Sequence, residues 1–404
     1  MRGQSGFVTK NSDIYGYGKI LERTYSRIES SAINQENKQL ILKFLEECLA
    51  NGLSKARIIK YGATLLQLAR IAGKPFESLK KEDILRIVKE VELRNYSEWT
   101  KRDYKIILKK FYRWLKGSEE YPEEVRWIRP RIKSKTVLPE EILTTEEVKL
   151  MAEKAENLRD KTFILVLYES GCRIGEILSL KLKHVQNDEN GMFLIVKGKT
   201  GSRRVRILTS ASILACWIEN HPLKENPEAP LWVTLGTNHR YTPLKHATVR
   251  TILKKAALKA GIRKRIYPHL FRHSRATHLA KHLTEAQLKQ FMGWVQGSRM
   301  ASTYVHLSGR DLDEALLRIN GVKYNGSDKR SNFRVISCPK CGQANSPISK
   351  FCLKCGSSLG TETKNGEIEA KILELFSLAV RNPDLVDKLI NVIREAAGNR
   401  NLRN

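Results

Sequence analysis

His269-Leu-Phe-Arg272-His273-Ser-Arg-Ala-Thr-His278, followed by Met292-Gly293-Trp294 and Ser302-Thr303-Tyr304-Val305-His306, is the stretch on which the reading of this chain turns. It sets an imidazole and a guanidinium one helical turn apart, then an indole, then a phenol. Upstream, Ser170-Gly171-Cys172-Arg173-Ile174-Gly175-Glu176 adds a second guanidinium, with a carboxylate one turn after it. Two arginine forks match the non-bridging oxygens of a phosphodiester, and neither loses its charge near neutral pH. Donors aimed at charge that develops in a dry site each lower a barrier by roughly 3 kcal/mol. A phenol with a free pKa of about 10 is a weak nucleophile, so it needs that cationic field and a base. His269 is the candidate base, because an imidazole exchanges protons near pH 7. The set suits metal-free phosphoryl transfer with Tyr304 as nucleophile and no bound cofactor. The product, a phosphotyrosine ester, stores the cleaved bond so that it can be remade without ATP.

Taken singly, each of these side chains is more often a solvated or packed group than a reacting one. Their ordered combination is hard to obtain from helix packing alone. His273 and His278 are expected to pack or hydrogen-bond beneath the site, and Glu176 to orient it.

The ordered set resembles the tyrosine recombinase, or phage integrase, family. The resemblance covers roughly the first four fifths of the chain, most closely in its second half. It implies a catalytic set of Arg173, Lys199, His269, Arg272, Trp294 and Tyr304. Residues Phe193 to Leu208 read as two β-rich arms around a glycine-containing turn, a hairpin. In the family a lysine on such a hairpin protonates the leaving 5′ oxygen, and Gly198-Lys199 matches that position. Lys197 is the rival, since it lies two residues away on the same strand face. Trp294 stands where most members carry histidine, and its indole N–H can still donate to a phosphate. The segment from Trp294 to Tyr304 is about one residue longer than in many members, with Gly297 expected to absorb the bend. The implied activity is site-specific DNA recombination through a covalent 3′-phosphotyrosine, by a homotetramer on two duplexes, with a helix around 311–319 as an exchange contact. A type IB topoisomerase and a catalytically inactive DNA-binding regulator are the alternatives.

Composition agrees with double-stranded DNA as partner. Lys plus Arg number 72 against 43 Asp plus Glu, a formal charge of +29, and duplex DNA is a dense polyanion. There is no apolar run of transmembrane length and no signal peptide, so a cytoplasmic protein without membrane contact is expected.

Apolar stripes place a helical domain over 20–116, with residues 1–19 as an untethered arm. Leu40 to Leu49 ends at Asn51-Gly52, Ile58 to Leu68 ends at Gly73, Ile84 to Val91 gives a third helix, and Ser97 to Leu115 a fourth. On the fourth, Lys101, Arg102, Lys105, Lys109 and Arg113 lie off the apolar stripe; by resemblance this is the core-binding domain that clamps the duplex. Trp127 to Pro139 is basic and proline-punctuated, an extended linker. Thr144 and Glu147 have capping-box spacing and open a catalytic domain at 140–323. Beyond it, Cys338-Pro-Lys-Cys341-Gly and Cys352-Leu-Lys-Cys355-Gly are matched knuckles over 333–360 that suit tetrahedral structural zinc. Cys48, Cys172 and Cys216 are scattered, which argues against a disulfide framework. Ile368, Ile372, Leu375, Phe376 and Leu389, Ile390, Ile393 form amphipathic stretches over 366–398, a surface for a protein partner or a neighbouring protomer. The expected fold class is α+β multidomain: a helical N-terminal domain, a mainly α catalytic domain with a small β-sheet or hairpin, and a C-terminal zinc ribbon with helices. The zinc tail and Met292-Gly293-Trp294 together are similar to archaeal members.

Overall fold

The structure, a computed structural model, describes residues 13–131, 142–188, 191–198, 201–237, 240–298, 300–305 and 333–359. Lys199, most of the basic linker, the helix expected around 311–319 and the tail helices expected over 366–398 lie outside the described residues. The chain divides between Val137 and Leu138 into two compact units.

The first unit is all helical: α1 (Tyr17–Glu29), α2 (Gln35–Ala50), α3 (Lys55–Ala72), α4 (Lys81–Leu93), α5 (Glu98–Leu115) and α6 (Glu123–Arg126). Helices α2 and α5 start where a side-chain oxygen satisfies an orphan amide, Asn34 accepting from Asn37 N at 2.9 Å and Ser97 from Thr100 N at 3.2 Å. The expected stripes form the core except at Leu49, which is exposed, and within it Phe44 and Phe111 meet edge to face at 5.4 Å. Buried Asn37 ties the α3–α4 connection down by donating to Lys74 O and accepting from Phe76 N.

Three features of this unit differ from the expectation. Residues 13–19 are not a loose arm, because the Asp13 carboxylate accepts from Tyr17 N and Gly18 N and so starts α1. The linker begins later than Trp127, since Ile128 is buried in the core and the Trp127 indole donates to Glu124 O at 2.8 Å. The basic residues of α5 are largely engaged within the unit. Lys101 and Lys105 both reach Glu92, Lys109 donates to Ile128 O at 3.0 Å, and Arg113 lies over the Tyr121 ring.

The second unit carries α7 (Thr145–Glu153), α8 (Leu158–Ser170), α9 (Ile174–Leu178), strands β1 (Val185–Asp188), β2 (Gly191–Gly198) and β3 (Gly201–Ile207), then α10 (Ala211–Glu219), α11 (His246–Lys259), α12 (Pro268–Ala280), α13 (Glu285–Met292) and α14 (Met300–Val305). The Thr144–Glu147 capping box is formed. The sheet is antiparallel in the order β1-β2-β3, and the hairpin pairs Lys197 with Ser202 and Gly198 with Gly201. Helix α8 is buried on every face, because α7, α10 and α12 pack around it. Near its end the buried Glu169 carboxylate accepts from the amides of Leu208, Thr209 and Ser210 and from the Ser210 hydroxyl, all at 2.6–2.8 Å. That carboxylate neutralises the start of α10 and pins the exit of β3 to α8.

A small ribbon follows, with β4 (Ile336–Ser337) antiparallel to β5 (Ala344–Asn345). It rests on the helical core: Phe333 meets Tyr168 edge-on at 4.8 Å, and Ser346 N donates to Ser212 Oγ on α10 at 2.8 Å. No helix among the described residues is long and apolar enough to cross a membrane.

Replacing Glu169 by Ala strands the buried amides of Thr209 and Ser210 and the part-buried amide of Leu208, a buried one costing about 1–3 kcal/mol. Glu169→Ala should therefore lower the stability of the second unit by about 3 kcal/mol or more in urea unfolding. A change at an exposed position of the same unit, such as Lys254→Ala, should alter it by less than about 0.5 kcal/mol.

Candidate active site and metal centre

Helix α8 stops at Gly171, and the chain turns so that Arg173 becomes the N-cap of α9. Its amide and guanidinium both bond Glu176, from N to Oε2 at 2.9 Å and from Nη1 to Oε1 at 2.8 Å. Arg203, on β3, donates to the same carboxylate, from Nη2 to Oε2 at 2.8 Å. Burial alone would raise the Glu176 carboxyl, but hydrogen bonds from Arg203 and Arg173 outweigh it and hold the group below the ordinary carboxylate range. One anion thus joins the Arg173 loop to the hairpin, the orienting role expected of Glu176.

Arg203 was not singled out in the sequence, and two of its three guanidinium nitrogens are tied. Its Nε donates to Phe291 O at 3.2 Å and its Nη2 reaches Cys172 Sγ at 3.4 Å, while Nη1 is buried without a hydrogen-bond partner. The guanidinium packs on Gly293, where an added Cβ would lie 2.7 Å from Nη1, and Gly198 abuts Glu176 Oε1 in the same way at 2.6 Å. Gly293 is also the residue that turns the chain after α13, with φ of 63°. The bend expected at Gly297 lies further on, in a turn closed by Ser298 N donating to Val295 O at 2.9 Å. A cleft of about 340 Å³ opens between Gly201 and Ser202 of the hairpin and Gly293 and Trp294.

Helix α12 supplies the second guanidinium. Arg272 is 3% exposed and donates from Nη1 to Gly171 O at 2.8 Å and from Nη2 to Met292 O at 2.7 Å. It lies 5.4 Å from the Trp294 ring centroid. Burial, with Arg173 nearby, lowers its pKa to about 10, so it stays cationic at neutral pH. Burial first, then His273 and the two arginines, holds His269 near 4. His269 is therefore a neutral ring able to accept a proton.

Tyr304, on α14, is 6% exposed and stacks on Trp294 with ring centroids 5.6 Å apart. Burial pushes its phenol up to about 12, with Arg272 pulling the other way. Ionising it freely at pH 7 would cost about 7 kcal/mol, which calls for proton transfer in step with attack. The imidazole in contact with the hydroxyl is not His269 but His273, whose Nδ1 pairs with Tyr304 Oη. His269 sits behind it, edge-on to His273 at 4.7 Å. His278 lies away from this group and pairs with the Tyr168 hydroxyl at 2.5 Å, the packing role expected of it. The structure thus gathers Arg173, His269, Arg272, Trp294 and Tyr304, adds Arg203 and His273, and leaves Lys197 exposed near the end of β2.

The four tail thiols form a second centre. Their sulfurs all lie within 4.8 Å of one another, with Cys338 and Cys355 at 3.5 Å and Cys341 and Cys352 at 3.6 Å. Tetrahedral zinc with Zn–S bonds of about 2.3 Å needs sulfur–sulfur edges of roughly 3.8 Å, so these residues fit a structural zinc. Four protein ligands close the coordination sphere.

The phage integrase family profile matches residues 141–310, and a zinc-ribbon domain profile matches 337–359. Tyrosine recombinase XerA of Thermococcus onnurineus is 30% identical over 203 residues, 50% of this chain and 68% of that protein. The chain belongs to the phage integrase, or tyrosine recombinase, family. XerA of Pyrococcus horikoshii, also 30% identical, aligns over 43% of this recombinase and 59% of its own length. In fold, the recombinase is similar to a XerH site-specific recombinase bound to its difH substrate, with a TM-score of 0.54 at 20% identity over 79% of this chain and all of that one.

Two expectations follow from the geometry. Arg203→Ala removes one of two cations from Glu176 and frees Arg173, so single-turnover cleavage of a nicked suicide duplex should fall roughly 10- to 100-fold with DNA affinity unchanged, given about 1.5–3 kcal/mol for a charged hydrogen bond. Arg203→Lys, which restores one contact, should recover part of it; full activity in Arg203→Ala would show the clamp to be idle. Second, His269 and His278 are both held near 4 by burial. The unfolded chain, with imidazoles near 6.5, binds more protons than the folded one between those values. The second unit should lose stability as pH falls from about 6.5 towards 4, and His278→Gln should flatten the dependence of its urea midpoint on pH. A midpoint constant from about pH 7 to 5 would contradict this.

Proposed function

We propose that this recombinase cuts and rejoins DNA at specific sites, with Tyr304 as nucleophile and Arg173 and Arg272 holding the scissile phosphate. The observation that carries the reading is that α9, α12 and α14 deliver two guanidiniums, neutral imidazoles and one phenol to a single buried locus. In the first step Tyr304 Oη attacks phosphorus, and an oxygen–phosphorus bond to tyrosine replaces the bond to the leaving 5′ oxygen. The energy of the broken bond is kept in the ester, and the reverse attack by a 5′ hydroxyl from a second duplex reseals the strand. The phenol proton passes to an imidazole. His273 is in hydrogen-bond contact with it and His269 is its nearest relay. The leaving oxygen takes its proton from Lys199, which follows Gly198 in the chain. Four protomers on two duplexes, each cutting one strand, complete the exchange.

Arg272 gives one N–H of each Nη to a backbone carbonyl and keeps three for a phosphate, while the Tyr304 ring stacks on Trp294 and is 6% exposed. That arrangement keeps a reactive phenol from water until a phosphate is present.

Tyr304→Phe should bind DNA like the parent but form no recombinant product, because only the attacking oxygen is lost. Lys199→Ala should be rescued by a 5′-bridging phosphorothiolate, whose thiolate leaves without a proton. Rescue of Lys197→Ala in place of Lys199→Ala would move the general acid by two residues. Recombination by Tyr304→Phe would overturn the reading itself.

A further inference from the structure

The zinc ribbon takes no part in the chemistry above, yet its surface is not that of a passive staple. Residues 333–359 contain Arg334, Lys340, Lys350 and Lys354 and no Asp or Glu. All four cations are exposed, and among the described residues none of them enters an ion pair. The basic residues of α5 make a useful contrast, since Lys101 and Lys105 are drawn onto Glu92. Zinc held by four thiolates carries a formal charge of −2, so the four cations leave the ribbon net positive around it.

The second knuckle concentrates this charge around apolar side chains. In Lys350-Phe351-Cys352-Leu353-Lys354, Phe351 is 40% and Leu353 53% exposed, between two free ammonium groups. Its backbone is fixed. Leu353 N donates to the side chain of buried Asn345 at 3.1 Å, and Asn345 Nδ2 donates to Gln343 O at 2.7 Å. The other side of the ribbon is committed to the catalytic unit through buried Phe333 and the bond from Ser346 N to Ser212 Oγ. The module is therefore mounted by one side and presents a cation-flanked apolar edge on another.

We infer that this knuckle is an additional DNA contact, outside the cleavage site, in which Lys350 and Lys354 neutralise backbone phosphates while Phe351 and Leu353 lie against the groove. The partner follows from chemistry: cations that enter no ion pair among the described residues, on a ribbon with no carboxylate of its own, are complementary to a polyanion, and apolar side chains between cations suit a minor groove, where such residues pack against sugars and base edges. The inference rests on the chain acting on duplex DNA, and it assigns the ribbon a role in extending that grip.

The test uses the zinc-loaded full chain and a mixed-sequence duplex, with affinity measured against salt. Each phosphate contact contributes about 0.9 to the slope of log affinity against log salt. Lys350→Ala with Lys354→Ala should keep one zinc per chain and make that slope shallower by about 2. Phe351→Ala, which changes no charge, should weaken binding several-fold at an unchanged slope, and hydroxyl-radical footprints of both variants should be shorter than the parent's. Parental slope, affinity and footprint in both variants would overturn the inference, and would leave the knuckle as a surface for a protein. The parent's own Tyr304 adduct keeps the two readings apart: no adduct would sink the recombinase reading, whereas an adduct with unaltered variant binding would sink this one alone.

Discussion

The Glu176 carboxylate is the constraint around which this site is built. It is a buried anion held by two guanidiniums that come from different elements, Arg173 at the start of α9 and Arg203 on β3. A buried carboxylate with one partner removed is left partly uncompensated, at a cost of several kcal/mol. Arg173 therefore cannot be placed without placing the hairpin, and the hairpin cannot shift without disturbing Arg203's grip on Phe291 O and the packing against Gly293. Gly198 and Gly293 are the points where backbone must come close to this network, and any side chain there would meet Glu176 or Arg203. The hairpin expected to carry the general acid and the loop carrying Arg173 are thus tied together through one carboxylate.

Electrostatics in the site are arranged around neutral imidazoles and a protonated phenol. Burial disfavours charge on the imidazoles of His269 and His273 and on the phenol of Tyr304; Arg272 reinforces this for the imidazoles and opposes it for the phenol, so the rings stay neutral and the hydroxyl stays protonated. On the proposed mechanism an incoming phosphate would bring an anion to Arg272, whose hydrogen-bond partners here are backbone carbonyls, and the contact between Tyr304 and His273 would become the proton-transfer pair.

Much of this was legible in the chain, for reasons of spacing. His269 and Arg272 share a helical turn wherever α12 lies, the Thr144–Glu147 box starts a helix by local bonds alone, and paired Cys-x-x-Cys knuckles bring four thiols together. Long-range pairings were not legible. Arg203 looks like Arg204 and Arg206, yet those two pair with Asp188 at the surface while Arg203 stands opposite buried Val196 and shares its inward face. Strand alternation was the signal that would have picked it out. The choice between His269 and His273 depends on where α14 lies against α12, which no spacing within α12 encodes. Helix α1 was missed because its apolar stripe is short and its start depends on Asp13 rather than on a run of hydrophobic residues.

The central claim is that Tyr304 becomes covalently joined to DNA. The most direct measurement is to trap the full chain on a nicked suicide duplex, digest both polymers and sequence the nucleotide-bearing peptide by mass spectrometry. The account predicts a 3′-phosphate ester on Tyr304, in the peptide from Met300 onward. A nucleotide on any other residue, or a cleaved strand with no linked peptide, would contradict it.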